Sequence, residues 1–134
     1  MAWLARQFHH ACGSNLAVIG LFVDGWAHNN LTQLETFFTP WQAMFYSGFL
    51  ACGWWTGFLV LREWRTGKSL IGSIPHGYHL AVLGVCIFGV GGMGDMTWHT
   101  IFGVEQNLDA LLSPTHLVLF LGGTLIFASP FGAA

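Results

Sequence analysis

Charge is what this chain has least of. Lys and Arg together number 4 and Asp and Glu 6 among 134 residues, so 7% of positions are charged while 54% are apolar. A soluble domain carries about 25% charged residues, and this composition therefore argues against a surface made for water. There is no basic patch, which excludes nucleic-acid binding. The glycine-rich stretch Gly89–Gly94 is closed by neither Lys nor a hydroxyl residue, so it is no phosphate loop. Cys12, Cys52 and Cys86 form no CxxC pair and, being odd in number, no disulfide framework. They read as small buried hydrophobes. Met1–Ala11 holds two His and a Trp and lacks the cleavage pattern of a signal peptide. Strict apolar–polar alternation is missing too, which argues against barrel strands.

What the chain has instead is long apolar runs. The first lies within Phe8–His28, and the others cover Phe37–Leu61, His76–Phe102 and Pro114–Phe131. Roughly 20 residues cross a bilayer core, so the first run is marginal and the third generous. In lipid the backbone must satisfy itself, which favours helices. The expected fold is all-α: one transmembrane domain over 1–134 with four spanning helices. Arg6 precedes the first run, and Arg62, Arg65 and Lys68 sit between the second and third. The positive-inside rule places both regions and both termini in the cytoplasm. Trp26, Trp41 and Trp98 then mark the outer boundary and Trp54, Trp55 and Trp64 the inner one, as an aromatic belt does.

The chain also repeats itself. Asp24-x3-His28, Glu35, Thr39-Pro40-Trp41-Gln42 and Gly48 return as Asp95-x3-His99, Glu105, Ser113-Pro114-Thr115-His116 and Gly122. Upstream, Leu16–Gly20 matches Leu80–Gly84, which makes the third span about two turns longer than the first. Each copy (about 13–61 and 77–131) is a helix, an outer loop and a returning helix. Two spans per copy imply a parallel, pseudo-twofold repeat about the membrane normal. Thr39-Pro40 and Ser113-Pro114 supply an N-cap hydroxyl and an N1 proline. Thr39-x-x-Gln42 is a capping box, and His116 holds the equivalent place in the second copy.

Asp and His four apart share one helix face. If the two faces meet, Asp24, His28, Asp95 and His99 converge in the outer half of the membrane, with His116 and Gln42 from the returning helices and Glu35 and Glu105 above. The outward half has no Lys or Arg, and an ionised carboxylate in low dielectric needs a companion. A bound transition metal supplies one. Carboxylate and imidazole ligands without thiolate suit Zn, Fe, Mn or Cu(II), and redox or hydrolytic chemistry would require an open coordination position. Four other readings remain open: a structural Asp–His network, an accessory subunit of a larger membrane complex, a b-type haem held by His28 and His99, and transport or proton conduction by a homo-oligomer. His9 and His10 read as interfacial or solvated. His76 and His79 read as snorkelling tips.

The strings Val23–Asn29, Phe37–Trp41, Asp95-x2-Trp98-His99-x2-Phe102-Gly103-x-Glu105 and Leu111-Leu112-Ser113-Pro114-x-His116-Leu117 resemble a family of bacterial multi-pass membrane proteins with no settled activity. The resemblance implies an inner-membrane protein and supplies no reaction. It also implies a chain continuing beyond the fourth span, with His where Gln42 stands. Separately, Asp-x3-His followed by a further His is similar to the copper-binding arrangement of the C subunit of particulate methane and ammonia monooxygenases.

Overall fold

A computed structural model describes residues 2–31, 38–103 and 112–132. Glu35, Glu105 and Asp109 lie outside the described residues. The described chain is helical: α1 (Ala2–Asn30), α2 (Pro40–Trp64), a single 3-10 turn (Ile71–Ser73), α3 (His79–Phe102) and α4 (Pro114–Gly132). Two of these, α2 and α3, are long and apolar enough to cross a membrane by length and composition, and α4 holds a shorter apolar stretch, Pro114–Ser129.

The helix ends follow from local chemistry. Thr39, extended at φ −103° and ψ 153°, accepts the Gln42 N–H on its side chain, and Pro40 follows at N1. Ser113 does the same for the His116 N–H at 3.3 Å, ahead of Pro114. At the far end of α3, Gly103 has φ +82° and returns its N–H to the His99 carbonyl at 3.1 Å. Glycine takes that conformation without a Cβ clash.

Two antiparallel hairpins result, α1 against α2 and α3 against α4, with lighter contact between them. Each is closed by glycines that bring backbones together. A Cβ on Gly20 would fall 2.5 Å from the Phe45 Cα, and one on Gly48 would collide with Ala17. In the second hairpin Gly91 meets Leu119 and Gly122 meets Phe88, while Gly13 against Cys52 corresponds to Gly84 against Ile126. One constant spacing relates Gly13, Ala17, Gly20, Asp24 and His28 to Gly84, Phe88, Gly91, Asp95 and His99. This corrects the match of Leu16–Gly20 to Leu80–Gly84: the first helices of the two copies align without an insertion, and the second copy is three residues longer only between its His99 and Ser113 than the first between His28 and Thr39. The third helix is not the longer one, since α1 has 29 residues and α3 has 24.

Polar side chains are buried alongside apolar ones, and large apolar side chains are exposed. Among the described residues ten polar side chains are buried, as many as apolar ones, while Phe22, Trp54, Val90 and Met93 point outward at 68–80% exposure. Three expectations change as a result. Cys52 is buried, but Cys12 and Cys86 are exposed. The third helix starts at His79, leaving His76 in the preceding turn. His10 is fully buried, not solvated. Its Nε2 reaches the Ile126 carbonyl at 3.0 Å and lies 3.1 Å from the Ser129 hydroxyl, with Tyr78 edge-on at 5.6 Å between centroids. The reason lies in the chain: the fourth residue after Ile126 is Pro130, which has no N–H to give that carbonyl. His10 supplies the missing donor from another helix.

Candidate metal centre

Helical spacing puts Asp95 and His99 on one face of α3, and the Ser113–Pro114 cap sets His116 on the first turn of α4. Asp95 Oδ1 lies 3.4 Å from His99 Nε2 and 3.5 Å from His116 Nδ1. One ligand atom from each of the three residues lies within 4.8 Å of the others. Asp95 is 1% exposed and His99 6%. Such separations suit donors around one ion: metal–ligand bonds of roughly 2.0–2.2 Å place tetrahedral neighbours a little over 3 Å apart.

The ring orientations sharpen the point. His99 Nδ1 lies 3.2 Å from the Gly103 carbonyl, while Nε2 faces the Asp95 carboxylate. Both neighbours are acceptors, and a neutral imidazole carries one N–H. A second positive centre, proton or metal, resolves the conflict. If Nδ1–H donates to Gly103, the Nε2 lone pair turns to the cluster, as in metal sites where the non-ligating nitrogen bonds a carbonyl. His116 Nδ1 sits 2.6 Å from the Ser113 hydroxyl, which also caps α4.

Asp95 accepts further bonds from Thr115 Oγ1 on Oδ1 at 3.0 Å and from Tyr46 OH on Oδ2 at 3.3 Å. Sequence reasoning missed Thr115 and Tyr46, and it read the Ser113 hydroxyl as a helix cap without its contact to the His116 ring. Only their positions hint at a role: Thr115 lies between Pro114 and His116, and Tyr46 stands one turn beyond Gln42 on α2.

The first copy does not reproduce the cluster. His28 Nδ1 is 3.0 Å from the Asp24 carbonyl and 3.6 Å from its Oδ2, and Asp24 Oδ1 has no hydrogen-bond partner among the described residues. By the hairpin alignment, the counterparts of Tyr46, Thr115 and His116 are Phe120, Trp41 and Gln42. Two are apolar bodies and none is an imidazole, so Asp24 lacks the donors that surround Asp95. The two faces do turn toward each other. Asp24, His28, Gln42, Asp95 and His116 line one small cavity of about 20 Å³, and Asp24 is close enough to Asp95 and His99 to feel their charge. A water needs about 10–15 Å³, so the cavity has room for one water or one ion and not for a porphyrin.

The basic residues are at the other end. Arg62 and Lys68 bracket Glu63 at 3.1 and 2.8 Å. Asp95 lies 16 residues past the start of α3, roughly 24 Å along the axis at 1.5 Å per residue.

No protein-family model, curated protein or solved structure matches this chain.

Proposed function

We propose that this chain is a four-span membrane protein that binds a transition metal ion through Asp95, His99 and His116. The observation that carries the reading is the His99 ring, held between the Gly103 carbonyl and the Asp95 carboxylate. The exposed apolar surface of every helix and the separation of acidic from basic ends support a bilayer setting, with the metal centre on the non-cytoplasmic side. The hairpins would be related by a pseudo-twofold axis along the membrane normal, consistent with their matched glycine contacts. An ion held by three side chains beside a water-sized space has the arrangement of an open site, where a metal supplies Lewis acidity or an activated water. Whether Zn, Fe, Mn or Cu fills it is a matter for elemental analysis. Asp24, His28 and Gln42 would face the ion from the opposite wall.

A second reading has its own support: Tyr46 and Thr115 already donate to Asp95, which suits a hydrogen-bonded hub that orients helices. Elemental analysis of the purified full chain separates the two. The metal reading expects near-stoichiometric ion in wild type and its loss in the Asp95→Ala/His99→Ala double variant. Equal, negligible metal in both overturns it.

A further inference from the structure

Next to the Asp–His cavity lies a second one of about 210 Å³. It sits between the hairpins, where they touch lightly. All four helices contribute apolar walls: Leu21 from α1, Phe45 and Phe49 from α2, Phe88 from α3, and Leu119 and Phe127 from α4. Leu21, Phe45, Leu119 and Phe120 line both cavities, so a single partition divides the apolar space from the polar one.

Protein interiors pack to crystal density and leave few voids larger than a water. An apolar void of about 150 Å³ in another protein stays dry and takes up benzene. Water has little to gain here, because the one hydroxyl on the wall, Thr124, is bonded to the Phe120 carbonyl at 2.7 Å. Gly123 leaves part of the space open: a Cβ there would meet only Phe127 at 3.8 Å and Phe88 at 4.0 Å, both ordinary contacts.

We propose that this chamber binds an alkyl chain drawn from the bilayer and holds its end against the partition beside Asp95 and His116. Alkyl chemistry follows from the surroundings. The outer faces of the helices carry Phe22, Leu50, Val90 and Leu121, and the phase that wets such faces is hydrocarbon. The inference rests on the membrane reading above; the part that concerns a metal is separable. Two sources share this chemistry, a free alkyl molecule dissolved in the membrane and the acyl chain of a phospholipid.

Photolabelling of the full chain in phosphatidylcholine vesicles tests it. One arm uses a free long-chain alkyl diazirine and the other a phosphatidylcholine with the diazirine in its acyl chain, with adducts mapped by mass spectrometry. Adducts are expected on the Phe45, Phe49, Phe88 and Phe127 peptides in at least one arm, and the productive arm names the source. Gly123→Leu should cut chamber adducts about tenfold and leave those on exposed Phe22 and Trp54 unchanged. Excess unlabelled decane should compete in wild type with the same selectivity, whether or not the variant folds. Chamber labelling no stronger than that of Phe22, or indifferent to decane, overturns the proposal. The labelling needs no metal. Metal without labelling overturns the chamber alone, and labelling without metal overturns the metal centre alone.

Discussion

Asp95 and Asp24 occupy equivalent places in different company. Asp95 is contacted by Tyr46, Thr115, His99 and His116, whereas among the described residues Asp24 has His28 and an Oδ1 without a hydrogen bond. Asp95→Asn should therefore abolish metal binding, while Asp24→Asn leaves most of it, as competition with a chromophoric chelator would show. Thr115→Val and Tyr46→Phe remove groups that orient the carboxylate and should each weaken affinity about 10- to 100-fold. A second residue-scale prediction concerns His10. His10→Phe strands the Ile126 carbonyl, and an unsatisfied buried acceptor costs about 1–3 kcal/mol. Pro130→Ala gives that carbonyl an N–H from its own helix, so the double variant should recover most of the loss in a thermal melt. Equal melting of the single and double variants would show that the proline is not the cause. The clustered residues Asp95 and His99 were legible in the sequence because Asp-x3-His stands out in an apolar chain. Thr115 and Tyr46 were not, since a hydroxyl among aromatics signals little until the facing carboxylate is placed. His10 was misread for the same reason: its partner is created by a proline more than a hundred residues away.

At the scale of elements, the helix starts were readable from Thr39-Pro40 and Ser113-Pro114, and four apolar runs became four helices. Arg6 and Gln7 precede the first run and His9, His10, Ser14 and Asn15 interrupt it, which concealed how far α1 extends toward the amino terminus. Hydropathy measures lipid preference, whereas a helix continues through polar residues whose backbone bonds it can still close. The register of the repeat was misread because Leu-Ala-Val-x-Gly was matched by residue type. The contacts instead align the glycines four and eleven residues before each Asp. Two comparisons test this packing. Gly48→Leu and Gly122→Leu place side chains inside a neighbouring helix and should destabilise by about 1–3 kcal/mol or prevent folding. Gly89→Ala meets nothing within 4 Å and should be neutral or stabilising by up to about 1 kcal/mol. The caps separate structure from chemistry: Thr39→Ala and Ser113→Ala should each cost about 1 kcal/mol. Only Ser113→Ala, which also loses the 2.6 Å contact to His116 Nδ1, should alter metal affinity.

For the whole molecule, orientation is the quantity to measure. Ser69 and Leu112 are exposed at opposite ends of the bundle. An impermeant maleimide should modify Ser69→Cys from the cytoplasmic side and Leu112→Cys from the other, judged against the background of the native cysteines. Modification of both from one side would refute the four-span topology. The unequal hairpins also bear on ancestry. A single hairpin that paired with a copy of itself would have faced two identical ligand sets across the seam. The departures from symmetry fall on both halves: the first carries Gln42 and Trp41 where the second has His116 and Thr115, and the second carries Phe120 where the first has Tyr46. A chain rebuilt from two copies of α3–α4, with Phe120→Tyr in each to restore the hydroxyl that Tyr46 supplies, would then be a symmetric vessel with twice the capacity for ions.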